Sequence, residues 1–242
     1  MPRCWTDGRQ VLKLWDDGLP ASLAAVGDLE LPVVAPSATA EIAGCGVAVF
    51  PFVRGRAATG ADAPALAHAM RIVHDHPLVG LPSAPIEERW CVETMRSLLE
   101  HPWIRDRRAE IEVQLDRLEG AIERARARPR RDVICHTDFG RHNALIDEHS
   151  GEVAAILDWD AARLAPREHD LWVAFEEPDP LVYLDAYGRD VDLDLAHLEY
   201  ALLARGLRDA TARVAMERDR KGVDTWGFNR WRRLDRNLAL VR

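Results

Sequence analysis

The sequence predicts an α+β fold, with a small β-rich N-terminal lobe over residues 1–54 and a larger, mainly helical lobe over 55–242. Three observations lead there. Short apolar runs bounded by turn residues are confined to the first third of the chain and to a stretch between residues 132 and 159. Apolar residues at helical spacing occupy most of the remainder. Pro51 and Gly55 interrupt the chain where the first pattern gives way to the second.

In chain order, residues 9–15 form a strand candidate closed by the turn residues Asp16, Asp17 and Gly18, and residues 20–29 a short helix. Residues 47–53 are an apolar strand in which Pro51 marks an edge or an end. A helix over 65–76 places Leu66, Met70 and Val73 on one face, and a longer one over 103–127 buries Ile111, Leu115, Leu118 and Ile122. The basic run from Arg124 to Arg131 ends that helix, where cations complement the helix dipole and the free carbonyls. Strand-like alternation follows over 132–159, and helices return over 171–175, 181–187 and 195–216. There is no internal repeat and no low-complexity segment.

Bulk composition narrows the function. A chain of 242 residues can bury a sizeable core as one large domain or two modest lobes. Hydrophobic content of 48% and charged content of 30% suit a globular protein. No apolar run approaches the ~20 residues that span a bilayer, and the N-terminus lacks an apolar leader, so a cytoplasmic protein with no membrane partner is expected. The net charge of -8 argues against a nucleic-acid partner. Cys4, Cys45, Cys91 and Cys135 form no C-x-x-C pair and are expected as reduced thiols, with Cys135 filling an apolar strand. Of 32 cationic residues only Lys13 and Lys221 are lysines, which singles both out.

The strongest chemical signal is His136-Thr137-Asp138-Phe139-Gly140-Arg141-His142-Asn143, followed by Ile156-Leu157-Asp158-Trp159-Asp160. It reads as H-x-D-x-x-x-x-N with a downstream metal-binding aspartate, the arrangement that phosphoryl transfer from a nucleotide requires. With 9 His, 23 Asp and three Asn in the chain, random placement gives about 0.01 matches to the first pattern. A hairpin turn centred on Ser150 and Gly151 makes antiparallel partners sum to 301, pairing Asn143 with Asp158 directly. One amide oxygen and one carboxylate then meet at the open end, both hard oxygen ligands suited to Mg²⁺. Asp138, on the loop entering the hairpin, can orient a substrate hydroxyl and accept its proton. His136 is read as a loop brace through backbone hydrogen bonds. A competing arrangement gathers His136, Asp138, His142 and His169 into a zinc or iron hydrolase site, and a further one treats all of these as ordinary loop polars.

These residues, with Asp170-Leu171 and the upstream helix that ends at His74, resemble the aminoglycoside phosphotransferase/choline kinase-like family, most specifically over 133–172. The resemblance implies a bilobal protein-kinase-like fold and a donor nucleotide, ATP or GTP, with Mg²⁺. It implies that Asp138 is the catalytic aspartate, that Asn143 and Asp158 hold the metal with help from Asp160, and that Asp170 braces the catalytic loop. Lys13 would contact the nucleotide phosphates, and the backbone of Pro51, Phe52 and Val53 would hold the base.

Several positions depart from the family pattern. Few residues precede the Lys13 strand, so the N-terminal lobe is read as truncated. Asp28 and Glu30 are weak substitutes for the expected glutamate partner of Lys13, and Thr137 replaces the usual glycine. The expectation is a small-molecule kinase acting on a hydroxyl acceptor, aminoglycoside-like or another amine-bearing alcohol. A nucleotide-binding or catalytically dead regulatory module is the alternative. The acidic stretch from Glu176 to Asp194 reads either as lining for a cationic acceptor or as a solvated face.

Overall fold

The computed structural model describes residues 3–26, 29, 33–78, 80–177, 179–217, 221 and 223–241. The chain divides into two compact units, Met1–Ala84 with Arg131–Val191, and Pro85–Arg130 with Asp192–Arg242.

The first unit begins with a four-stranded antiparallel sheet: β1 (Arg3–Thr6), β2 (Gln10–Trp15), β3 (Ala38–Ile42) and β4 (Cys45–Pro51), in the order β1-β2-β4-β3. The strand read from residues 9–15 is β2, and a short strand does precede it. Gly8 at φ 80° turns β1 into β2, and Asp7 accepts the Arg9 and Gln10 N–H groups at 2.8 Å. Alternation puts Val11, Lys13 and Trp15 on one face of β2. The register sets Phe50, Ala48 and Gly46 opposite them on β4, and Cys4 opposite Lys13 on β1. Helix α1 (Ser22–Val26) packs on this face through Leu23, which clusters with Ala48 and Phe50.

A 3-10 turn at Gly60–Asp62, closed by a capping box in which Asp62 accepts the Thr59 N–H at 2.8 Å, leads into helix α2 (Ala63–Asp75). Its buried stripe contains Leu66, Met70 and Val73, as its periodicity predicts. Two small sheets complete the unit. One joins β5 (Arg56–Ala57), β7 (Ala144–Ile146) and β8 (Val153–Ile156); the other pairs β6 (Asp132–Cys135) with β9 (Arg163–Pro166). Helix α5 (Glu168–Leu171) runs into a 3-10 turn, and α6 (Pro180–Tyr187) follows, capped by Asp179. Val133, Cys135, Ala165 and Ala84 form an apolar cluster under the β6–β9 pair, which explains the burial of Cys135.

The second unit is helical: α3 (Arg89–Ser97), α4 (Arg108–Arg126), α7 (Leu195–Ala215), a π-helical turn at Val223–Phe228, and α8 (Asn229–Ala239). Ile111, Leu115, Leu118 and Ile122 of α4 are buried, as predicted. The basic run that ends α4 is held chiefly by side-chain partners: Arg124 pairs with Glu199 at 3.0 Å and Arg128 with Asp194 at 2.7 Å. No helix among the described residues is long and apolar enough to cross a membrane.

Candidate active site

Strand β6 delivers the chain to the loop that carries Asp138. At its start, the Asp170 carboxylate accepts the His136 N–H at 2.7 Å and the Thr137 N–H at 2.6 Å. Asp170 is fully buried and lies 3.3 Å from His74 Nε2, while His74 Nδ1 meets the Tyr187 hydroxyl at 2.7 Å. A brace thus runs from α6 through α2 and α5 to the loop. It holds Thr137 at φ 70°, a left-handed conformation in which a β-branched residue is strained and glycine is not. His136 bonds the Leu157 carbonyl through Nε2 at 2.7 Å and accepts the Asp138 N–H on Nδ1 at 3.3 Å. With both ring nitrogens engaged, His136 is a brace and not a metal ligand.

Asp138 and Asn143 are tied together. The Asn143 amide nitrogen donates to the Asp138 carbonyl at 3.0 Å and reaches its Oδ2 at 3.4 Å, which leaves the Asn143 amide oxygen for a cation. His142 Nε2 lies 3.3 Å from the same Oδ2. The sequence reading grouped His142 with Asp138 only in the competing zinc or iron arrangement. The signal for their contact was Gly140: a Cβ there would come within 2.7 Å of the His142 ring, so the missing side chain is what lets the imidazole fold back over the loop.

The hairpin register differs from the predicted one. Ala144 pairs with Ile156 and Leu145 with Ala155, then a bulge shifts Ile146 onto Val153. Asn143 therefore faces Leu157, whose N–H donates to its carbonyl at 2.8 Å, and not Asp158. The chain turns at Asp158 into the left-handed region, φ 66°, and enters a 3-10 turn. Trp159 points inward, 2% exposed, with its ring 4.7 Å from that of His136.

Asp158 and Asp160 converge on a single positive charge, Lys13 Nζ. Asp158 Oδ1 makes a short contact, and the Asp160 oxygens lie at 3.0 and 3.1 Å. Burial by itself pulls the Lys13 ammonium pKa down; the hydrogen bond and charge of Asp158, with those of Asp160, more than reverse this and hold it above the ordinary lysine value. Trp15 Nε1 donates to Asp160 Oδ2 at 2.7 Å and Ser22 Oγ to the Asp160 carbonyl at 2.9 Å. Sequence reasoning missed Trp15, although its place two residues after Lys13 puts both on one strand face. Asp28 and Glu30, the weak substitutes for a Lys13 partner, lie outside the described residues.

Lys13, Phe52, Val53, Asn143, Asp158 and Asp160 all border one cavity of about 450 Å³, walled by apolar residues including Val11, Leu23, Val34, Phe50 and Leu145. Asp138 adjoins it through Asn143. The Phe52 N–H already donates to the Arg9 carbonyl at 2.9 Å. Much of the acidic stretch is engaged away from the cavity, while buried Glu177 lies 3.3 Å from Arg141 on the loop that carries Asp138 and Asn143. Asp179 caps α6, Asp185 pairs with Arg189, and Asp190 pairs with Arg71 at 3.2 Å. In the second unit Asp194 caps α7.

The sequence model of the phosphotransferase enzyme family matches residues 20–217. No curated protein matches the chain. Among solved structures, it is similar to spectinomycin phosphotransferase in complex with ADP and spectinomycin, at 17% identity and a TM-score of 0.71, covering 96% of this chain and 84% of that one. A ternary complex of a thermostable mutant of aminoglycoside phosphotransferase APH(4)-Ia with AMP-PNP and hygromycin B is similar at 15% identity and a TM-score of 0.70, covering 98% and 93%. The GDP and kanamycin complex of an aminoglycoside 2''-phosphotransferase is similar at 13% identity and a TM-score of 0.65, covering 98% and 90%. With a kinase-like fold and a family match over most of its length, the chain belongs to the phosphotransferase enzyme family.

Proposed function

We propose that this phosphotransferase moves the γ-phosphoryl group of ATP or GTP to a hydroxyl of a small molecule, with an aminoglycoside-like or other amine-bearing alcohol as the acceptor. One observation carries the reading. A lysine, two aspartates and an asparagine border a single apolar-walled cavity, and the amide nitrogen of that asparagine donates to the Asp138 backbone carbonyl at 3.0 Å and reaches the Asp138 carboxylate at 3.4 Å. The acceptor class is supported by the fold neighbours that hold spectinomycin, hygromycin B and kanamycin.

The donor set fits a divalent cation. Two carboxylates already gather round one ammonium, and the Asn143 amide adds a third hard oxygen donor on the same cavity wall. Asn143 and Asp158 are the residues that would hold Mg²⁺, with Asp160 beside them on the same cavity wall, and the ion would neutralise the charge that develops on the transferring phosphoryl group. Lys13 holds the phosphates of the donor. The apolar walls take the base, with the Val53 backbone at its edge. Asp138 orients the acceptor hydroxyl and receives its proton as the acceptor oxygen bonds to the γ-phosphorus. The bond from that phosphorus to the bridging oxygen breaks, and the nucleoside diphosphate leaves with the electron pair.

The test is Asp138→Asn assayed with ATP and GTP against a panel of amine-bearing alcohols. Loss of a general base predicts a fall in turnover of about 10² to 10⁴-fold with nucleotide binding retained. Unchanged turnover overturns the assignment. Thermal shift with each nucleotide identifies the donor, since a ligand at about 100 times its dissociation constant stabilises the fold by about 2.7 kcal/mol.

A further inference from the structure

We infer that Asp160 is a positioning residue that keeps Lys13 in place, and that Asp158 is the carboxylate that turns to the metal. The inference rests on the kinase reading above and divides the work between two acids of that site. Lys13 Nζ is within bonding distance of Asp158 Oδ1 and both oxygens of Asp160. A divalent cation drawing on these oxygens competes with the ammonium, so one carboxylate has to stay if Lys13 is to keep its counter-charge.

The surroundings of the two acids decide which one stays. Asp160 Oδ2 also accepts the indole N–H of Trp15, a group that can only donate, and its carbonyl accepts the Ser22 hydroxyl. Both its side chain and its backbone are therefore pinned, one by the sheet and the other by α1. Its side chain is 21% exposed. The Asp158 side chain is 46% exposed, and among the described residues its carboxylate contact is Lys13 alone. Moving Asp158 breaks one bond at a solvent-facing edge; moving Asp160 breaks the bonds to Lys13 and to Trp15.

Strand geometry makes the arrangement self-consistent. Lys13 and Trp15 lie two residues apart on β2, so both donors reach Asp160 from one face, and the ammonium sits 5.2 Å from the centre of the Trp15 ring. Ala48 stands opposite Lys13 and Gly46 opposite Trp15, so β4 presents small residues beneath both long side chains. The Lys13 side chain is only 12% exposed, and an ammonium so enclosed loses its orientation without a fixed acid. Asp160 supplies that acid from outside the metal shell.

The test uses the two lysines of the chain as reporters. In the full-length protein labelled with ¹⁵N-lysine, a side-chain ammonium signal is visible only where exchange with water is slow. Lys221→Arg identifies the Lys13 signal. The expected result is a protected Lys13 signal that survives Asp158→Asn, survives addition of Mg²⁺ and ADP, and disappears in Asp160→Asn. Trp15→Phe, which removes the indole N–H but keeps the ring, is expected to speed Lys13 exchange. Mn²⁺ binding in the presence of ADP, followed by electron paramagnetic resonance, is expected to weaken by about tenfold or more in Asp158→Asn and to stay within about threefold in Asp160→Asn.

A Lys13 signal that is absent from the wild type, is lost in Asp158→Asn, or persists in Asp160→Asn overturns the proposal. Loss of Mn²⁺ binding in Asp160→Asn equal to that in Asp158→Asn overturns it as well. If Asp160→Asn does not fold, Asp160→Glu and Trp15→Phe carry the test: the former is expected to keep the signal and the latter to weaken it, and the reverse refutes the anchor. A wild-type protein that binds neither nucleotide nor Mn²⁺ defeats the kinase reading, while the lysine signal of the free protein still decides the role of Asp160.

Discussion

Replacing Asp170 with asparagine is expected to cost stability and turnover together. The carboxylate is buried and accepts two backbone N–H groups, from His136 at 2.7 Å and from Thr137 at 2.6 Å. Asparagine keeps the shape but offers one acceptor oxygen, so one of the two N–H groups faces an amide donor and is left unpaired, a loss of about 1–3 kcal/mol. The surviving bond loses its charge assistance, about 1 kcal/mol more. Neutralising a buried charge offsets part of this, so the expected loss is about 2–3 kcal/mol. Thr137 adds a second effect, because its left-handed backbone, φ 70°, is disfavoured by about 1–2 kcal/mol and the Asp170 bond is what opposes relaxation. Freed of it, Thr137 falls back toward an extended conformation and displaces Asp138, its neighbour. Urea denaturation measures the first effect and steady-state kinetics the second. Turnover is expected to fall by about 10-fold or more with the nucleotide KM little changed. A loss under about 1 kcal/mol with normal turnover would refute the brace.

Three further outcomes are expected. Gly140→Ala places a Cβ within 2.7 Å of the His142 ring and should push the imidazole off Asp138; unchanged His142 chemical shifts in an NMR spectrum would contradict the contact. The hydrogen bond from Arg56, with those from the Thr59 backbone and hydroxyl, outweighs burial and holds the Asp62 carboxyl well below the usual carboxylate range. A depressed folded-state pKa means that this stabilisation is complete at neutral pH, begins to fade as pH falls through the unfolded-state value of about 4, and is lost below the folded-state one. The stability difference between wild type and Asp62→Asn should therefore shrink in acid, and a constant difference from pH 7 to pH 3 would refute it. Burial pushes the Cys91 thiol up to about 11 and the Cys135 thiol well above its ordinary value, whereas Cys4 is exposed at the cavity edge. Maleimide should modify native Cys4 but not Cys91 or Cys135, and a saturating nucleotide should slow the Cys4 reaction; rapid native labelling of Cys135 would show the β6–β9 cluster to be open.

Much of this site was legible because its chemistry is concentrated in one short segment. The spacing of His136, Asp138 and Asn143 needs only a loop, and the loop is local. The buried stripes of α2 and α4 followed from 3.6-residue periodicity for the same reason. Features that depend on distant partners were harder to read. The hairpin register slipped because a bulge after Leu145 and the left-handed Asp158 carry no residue-type signal that counting outward from a turn would include. Strand β1 escaped because Arg3–Thr6 is short and exposed along its length, so it carries no apolar alternation. The acidic stretch after Glu176 reads as acceptor lining or a solvated face, yet several of its acids cap helices or pair with arginines, near ones such as Arg189 and distant ones such as Arg71. Trp15 is one of eight tryptophans in the chain, and only the fold shows its N–H on Asp160.

The sequence distance between Lys13 and Asp160, 147 positions, has a consequence for synthesis. The four-stranded sheet that carries Lys13 is complete once Pro51 has left the ribosome, since all its strand pairings lie within the first 51 residues. Asp160 emerges more than a hundred residues later, a delay of about 5–20 s at ordinary elongation rates. During that interval a half-enclosed ammonium has no acid to face, and β6 waits for β9 to complete its sheet. Until Asp160 is made, the N-terminal sheet carries its one lysine on a face otherwise lined by Val11, Trp15, Ala48 and Phe50.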